Sequence, residues 1–400
     1  MLATMTVRLP CLVAACAALA WAQPSPQDTE ALIEKIKATV LENLRRLPNY
    51  TCTETIHRSE RPKNIVKPTL NETIHLEVAY VEGKEFFGWP GAAKIDQPEI
   101  GKMVDGSMGN GYFGLFQSAI FSTRSAIFQY AGEAPLHGKE ALRFGYLVPK
   151  IAATYRLTTE LGEAVVGFHG SFWVDRKTLE LMRITVEADD PPVVLGLAAT
   201  SSVLDFSPQT FGASTFVLPR GAELQVVDTD GNEGQARLSF AACHQFVGES
   251  VIKFEEPETQ PAAPVAEPVK AAVALPDDFF VDFVLETPIE WESSATGDPV
   301  RGTLRDSVQD QGRAIVPKGA KLVARIAHLA QRGDLYYVEI TFASLDFPGG
   351  HADLSGRRNG VSVNNVPLVY PTTRFKLTRG ARLTLHSRLL KSEKHDSIRP

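Results

Sequence analysis

The chain has 400 residues, 44% hydrophobic and 22% charged, and carries a formal net charge of -6 at pH 7. That apolar share can build real cores, and the length is natural for two domains. Without a basic excess the chain has no electrostatic means of holding nucleic acid or another polyanion.

The first 22 residues, MLATMTVRLPCLVAACAALAWA, combine one early positive charge at Arg8, an apolar stretch from Leu9 to Ala20, and a small-x-small pattern at Ala20, Trp21 and Ala22. This is the layout of a secretory signal peptide cleaved after Ala22; the apolar stretch is too short for a spanning helix. A competing reading places lipoprotein processing at Cys16, after Val13, Ala14 and Ala15, but the segment that follows is apolar where a polar tether is expected. No later stretch reaches membrane-spanning length. The mature chain is therefore expected in the periplasm or outside the cell.

Of the four cysteines, Cys11 and Cys16 lie in the leader, which leaves Cys52 and Cys243. In an oxidising compartment one disulfide between them is the economical expectation. It closes a loop of about 190 residues, worth about 5 kcal/mol in the chain-entropy model. Two buried thiols that never meet are the alternative.

Residues 23–254 are expected to form an α+β domain. It opens with a helix that starts near Ser25 and Pro26, repeats Leu32, Ile33, Ile36, Val40, Leu41 and Leu44 at helical spacing, and ends before Pro48. Alternating segments follow: TIHLEVAYVEGKEFFGW, with a turn at Glu82 and Gly83, then ALRFGYLV, ATYRLTT, FHGSFWVD, ELMRITVEA, TFVLPRGAELQVV and ARLSFAACHQF. They predict antiparallel strands, interrupted by a Gly-rich entry to a short helix ending near Phe121. Residues 255–277 are rich in Pro, Ala and Glu and predict a semi-stiff linker. Residues 278–390 read as strands throughout, the pattern of a small all-β barrel or sandwich, and residues 391–400 form a polar tail.

One rhythm recurs. Pro219-Arg220-Gly221, Pro317-Lys318-Gly319 and Thr378-Arg379-Gly380 each stand between two apolar runs, which predicts three hairpins closed by a type I turn with a Gly bulge.

Catalytic and metal patterns fail on spacing. GEAPLHGK has five residues between its glycines and Glu140 where a phosphate loop needs Ser or Thr. DTDGNEG, at Asp228, Asp230 and Asn232, has its Gly two places early for a calcium loop and reads as an Asp-Gly hairpin. The nine histidines include no pair at metal-ligand spacing. No nucleophile, base and orienter assemble, so no enzyme, cofactor or metal is expected.

Two resemblances add to this. The amphipathic first helix, VAYVEGKEFF and GSFWVDRKTLELMRITVE, with Trp173, Val174, Asp175, Thr178 and Arg183, resemble the bacterial LolA and RseB type of half-barrel over residues 26–254. The resemblance implies a curved antiparallel sheet around helices, with a concave face able to hold acyl chains or peptide segments. Phe86, Phe87, Trp89, Phe172 and Trp173 are the lining it suggests, against a plain-core reading of the same aromatics. Residues 284–356 resemble the C-terminal β-barrel of TrbI-type conjugation and type IV secretion scaffolds, through Gly297, Val300, Val308, Gly312, Arg313, Pro317, Gly319 and Leu322. This chain lacks that family's N-terminal membrane helix and any long apolar barrel insert, so only a barrel module is implied. The expectation is a non-enzymatic envelope protein that binds a lipid or lipoprotein segment in its half-barrel and docks to an envelope protein partner through its β domain. A scaffold without a small ligand and an envelope hydrolase are the alternatives.

Overall fold

The computed structural model describes residues 26–92, 94–104, 106, 112–246, 271–354, 357–363, 366–367, 369–371 and 375–389. The leader, residues 255–270 of the expected linker and the tail 391–400 lie outside the described residues.

Helix α1 spans Pro26–Arg46, stops two residues before Pro48, and buries Ile33, Ile36 and Val40 along one stripe. The strands that follow are β1 (Tyr50–Arg61), β2 (Leu70–Val81) and β3 (Lys84–Gly88). After helix α2 (Leu115–Phe121) come β4 (Ile127–Glu133), β5 (Ala141–Val148), and a small hairpin of β6 (Arg156–Thr159) and β7 (Gly162–Val165). The run ends with β8 (Phe168–Asp175), β9 (Leu181–Ala188), β10 (Leu197–Phe211), β11 (Ser214–Asp228) and β12 (Glu233–Gln245). All large strands pair antiparallel in the spatial order β3, β2, β1, β12, β11, β10, β9, β8, β5, β4. Their inner faces, α1 and α2 share one apolar core, so the sheet is an open, half-barrel-like wrap around two helices.

Period-two alternation decides which residues turn inward. On β1 it buries Tyr50, Cys52, Glu54, Ile56 and Arg58; on β2 it buries Glu72, Ile74, Leu76, Val78 and Tyr80. Cys52 and Cys243 form a disulfide across 191 residues, beside the slip in β1–β12 register between Thr51 and Thr53. The far part of β11 lies beyond the reach of β12, and α1 completes its edge. The Asn43 amide donates to the Val217 carbonyl and accepts from the Val217 N–H, each at 2.9 Å, as a partner strand would.

A second apolar core, centred on Phe283, Phe342 and Phe375, lies among strands of residues 278–389. Asp278–Leu285 pairs with Pro299–Leu304 and Arg382–Leu389; Pro299–Leu304 pairs with Lys321–Arg332, and that with Leu335–Phe347. The arrangement returns through Arg357–Val363, which pairs with Arg382–Leu389, to Val369–Pro371 against Leu335–Phe347. Residues 271–277, within the expected linker, dock on this part: Ala271–Ala272 runs parallel to Gly350 and His351, and Leu275 packs on the core.

The recurrent rhythm has a different meaning from the expected hairpins. Pro219–Gly221 is no turn: it lies inside β11, where the register with β10 slips between Asp205 and Phe206 and leaves Arg220 unpaired, a β-bulge. Gly221 is needed because a Cβ there would lie 2.8 Å from the Leu238 carbonyl oxygen of β12. The other two copies are turns. Gly319 and Gly380 have φ of +85° and +90°, and the following N–H donates to Pro317 or Thr378. Glycine with positive φ at the third position marks a type II turn, not type I with a bulge. Neither turn closes a hairpin, because the strands on its two sides pair elsewhere: Arg313–Val316 with Val308–Asp310, and Lys321–Arg332 with Pro299–Leu304. Each glycine N–H instead bonds a neighbouring strand, at Leu304 (2.9 Å) and Leu285 (2.8 Å), so both turns are corners between sheets.

The two cores meet at the edge of β2. Strand β3 covers β2 only from Glu77 onward, and the exposed stretch Leu70–Glu72 is taken by Ala330–Arg332. Ile74 forms a parallel bridge with Thr296 through His75 N–H to Thr296 O (2.8 Å) and Thr296 N–H to Thr73 O (2.9 Å). The sheet therefore runs continuously from one part to the other, which satisfies backbone groups that an edge would leave open.

Candidate functional site

The inner face of the half-barrel is largely apolar, and its most deeply buried carboxylate lies on β1. Glu54 is 1% exposed, opposite Leu76 on β2 and Phe240 on β12. Its Oε2 has no hydrogen-bond partner among the described residues. Burial, and then the neighbouring Glu85 carboxylate, push its acid constant from 4.5 to about 8, so at neutral pH it is chiefly a neutral carboxylic acid. The hydroxyls of Tyr50 and Tyr112 are also buried without hydrogen-bond partners among the described residues, and burial is the first cause that raises each phenol.

Tyr112 opens onto a cavity of about 320 Å3 between α2 and strands β6, β10 and β11. Phe116, Tyr155, Leu157 and Leu224 form its apolar walls, and Thr200 and Ser202 add hydroxyls. Phe116 packs edge-on against Tyr155 at 5.4 Å, and Tyr155 against Phe168 at 5.7 Å. The rim carries Glu60, Arg156 and Glu160. A cavity of about 250 Å3 lies on the other side of α2, against α1, lined by Val40, Asn43, Gln117 and Phe206. There the Gln117 Oε1 is buried without a partner among the described residues. The inner space thus has apolar walls with a few unsatisfied polar atoms, a composition suited to an amphiphile.

The five aromatics picked from sequence do not converge. Phe172 is fully buried in an aromatic stack, 5.1 Å from both Phe144 and Phe121. Trp173 alternates to the outer face, with the Arg143 guanidinium 5.0 Å from its ring. Phe86 is half-buried while Phe87, its neighbour in β3, is buried. Phe87 and Trp89 line a separate cavity where the two cores meet. None of the five lines the 320 Å3 cavity. Tyr112 lies in the Gly-rich approach to α2 and Phe116 in its first turn, a stretch the sequence marked only as a helix entry. Glu54 and Arg58 are charged residues in phase with apolar Tyr50, Cys52 and Ile56, and that phase was the readable signal.

Where the cores meet, the buried polar groups around Glu72 are satisfied. Arg58 donates from Nε (2.8 Å) and Nη2 (2.6 Å) to Glu72 Oε2, with both side chains buried. Thr296 Oγ1 donates to Glu72 Oε1 at 2.8 Å and accepts the Leu329 N–H at 3.0 Å. His328 Nδ1 lies 3.9 Å from Glu72. Burial alone would raise the Glu72 acid constant; His328, Arg58 and Thr296 together reverse this and hold it below the ordinary value.

Hairpin chemistry explains other motifs. The Asp228 carboxylate accepts the N–H groups of Asp230 (2.9 Å) and Asn232 (2.8 Å) and shapes the β11–β12 turn. Asp175 does the same for Lys177 and Thr178 between β8 and β9. Among the described residues no cluster of three or more His, Cys, Asp or Glu could hold a metal.

No family model and no curated protein matches the chain. Among solved structures it is similar to an outer membrane lipoprotein-sorting protein domain from Vibrio parahaemolyticus, at 11% identity over 53% of this chain and 92% of the other, with a TM-score of 0.27. It is also similar to a DUF1329 family protein from Desulfovibrio piger, at 12% identity over 55% and 95%, TM-score 0.30. A LolA superfamily protein from Nitrosomonas europaea is similar at 7% identity over 55% and 93%, TM-score 0.27.

Proposed function

We propose that this is an exported, non-enzymatic envelope protein that takes the apolar part of a lipid or lipoprotein into its N-terminal half-barrel. The reading is carried by the 320 Å3 cavity: it opens from the inner face, its walls are aromatic and aliphatic, and its size falls within the range of small-molecule sites. The leader sequence, cleaved after Ala22, supplies the compartment. The C-terminal strands, by their sequence resemblance to TrbI-type barrels, dock the protein to another envelope component.

The test is native mass spectrometry of the mature protein purified from its own envelope fraction, beside a Ser202→Trp variant that fills the cavity. A co-purifying amphiphile on the wild type and its loss from the variant support the reading. An empty wild-type mass together with failure to take up a fluorescent fatty acid in vitro sinks it.

A further inference from the structure

The cleft that holds Phe87 and Trp89 has a volume of about 470 Å3 and draws its walls from both cores: Trp89, Lys94, Asp96 and Lys102 from one side, Arg325 and His328 from the other. Residues 325 and 328 would face opposite ways on a regular strand. The register of Lys321–Arg332 against Leu335–Phe347 slips between Ile326 and His328, and the extra residue, Ala327, turns both side chains to the cleft.

Arg325 sits over the Trp89 indole, its guanidinium carbon 4.0 Å from the ring centroid. It is half-buried, and none of the described acids forms an ion pair or hydrogen bond with it. Burial without a compensating carboxylate weakens its hold on the proton. The platform beneath it is fixed from below. Gly297 has φ of +101°, and a Cβ there would overlap the His75 carbonyl oxygen and lie 2.8 Å from the Trp89 ring, so the indole is pressed against bare backbone. Of the other charged groups, Lys94 and Asp96 are exposed and Lys102 pairs with Glu99 at 3.2 Å. His328 leans on Glu72, which with Glu339 raises its proton affinity above the ordinary imidazole range. Glu72 itself is engaged by Arg58.

A guanidinium held on an aromatic platform, with its donor edges uncommitted among the described residues and a lysine lining the same cleft, is a receptor lacking an anion. We propose that this cleft binds a small oxyanion, a phosphate or carboxylate, held by Arg325 with help from Lys94. Because the walls come from both parts of the chain, the bound anion would also fasten them together. The proposal is independent of what fills the half-barrel.

The experiment uses the mature chain, residues 23–400, titrated calorimetrically with inorganic phosphate and with dihexanoyl phosphatidic acid below its micellar concentration, against sodium chloride of matched ionic strength. Saturable binding is expected, weakened at least tenfold by Arg325→Gln and severalfold by Lys94→Gln. Arg379→Gln, in a distant corner turn, leaves it unchanged. Equal affinity for the two probes assigns a free anion, and tighter binding of the lipid assigns a headgroup. Lys94 is exposed, so Lys94→Gln keeps the test decisive if Arg325→Gln destabilises the fold. No saturable binding of either probe to the wild type, or binding indifferent to both cleft substitutions, overturns the proposal.

Discussion

The two cores are built to different standards. Around Phe283, Phe342 and Phe375 the C-terminal strands bury apolar side chains, and among the described residues no buried side-chain polar atom there lacks a partner. The half-barrel core contains all four that do: Tyr50 Oη, Glu54 Oε2, Tyr112 Oη and Gln117 Oε1. Each such atom costs about 1–3 kcal/mol when dry, so a core that only had to fold would not gather them on one inner face. The difference is the one the proposed ligand site requires: a core that keeps polar atoms free beside one that is fully packed. The buried cluster of Arg58, Glu72 and Thr296 where the cores meet is a third case, polar but paired.

The largest effect is expected at that contact. Glu72→Leu removes the buried carboxylate that accepts two hydrogen bonds from Arg58 and should cost ~3–5 kcal/mol in urea unfolding. The double variant Arg58→Met/Glu72→Leu should recover most of the loss, because replacing both charges with apolar groups removes the desolvation cost along with the attraction. A single variant that costs less than about 1 kcal/mol would show that the pair is wet. Next in size, Cys52→Ala with Cys243→Ala should lower stability by about 2–5 kcal/mol, since the bridge restrains a long loop in the unfolded chain. The same pair of changes should leave the C-terminal core's own unfolding transition in place, and a loss of both transitions together would make the two cores one cooperative unit.

How much of this was legible beforehand follows from what fixes each feature. Alternation and helical spacing are local, so α1, α2 and most strands could be read directly, as could the Asp228 hairpin. The Cys52–Cys243 bridge followed from counting thiols in an oxidising compartment. The corners at Gly319 and Gly380 could not be separated from hairpins, because the turn chemistry is the same and only the pairing of distant strands decides. The bulge at Arg220 depends on the Leu238 carbonyl, 18 residues away in the next strand. For the site, aromatic content pointed to Phe172 and Trp173, but a sequence does not say whether an inward ring meets other rings or empty space. Glu54 was the better clue, since a carboxylate in the apolar phase of a strand needs an explanation that packing does not supply.

Glu54 and Glu72, on paired strands, should respond to pH in opposite directions. Glu54 is raised to about 8 in the fold from an ordinary 4.5, so its protonated form contributes stability that is full below the ordinary value and lost as pH rises through about 8. Glu72 is held below its ordinary value, so its contribution is present above that value and lost on acidification. Glu54→Gln keeps the shape and removes the ionisation. It should stabilise the protein on the order of 2 kcal/mol at pH 9 and change little at pH 5. Thermal unfolding of both proteins across that range measures it, and a constant difference at all pH values would place Glu54 in contact with water.

The smallest effect on stability should carry the most information about function. Tyr112→Phe removes a hydroxyl that has no partner among the described residues and keeps the ring that packs 6.3 Å from Phe116. In an empty core the change should be neutral or stabilising by up to about 1 kcal/mol, because a dry unpaired hydroxyl is only a cost. If the cavity exists for an amphiphile, the hydroxyl is reserved for the ligand's polar group, and the same change should weaken uptake of a fluorescent fatty acid severalfold while the melting temperature holds or rises. Stability and binding then move in opposite directions at one atom. That is the behaviour of a group retained for a ligand, and a loss of stability without loss of binding would return Tyr112 to the core.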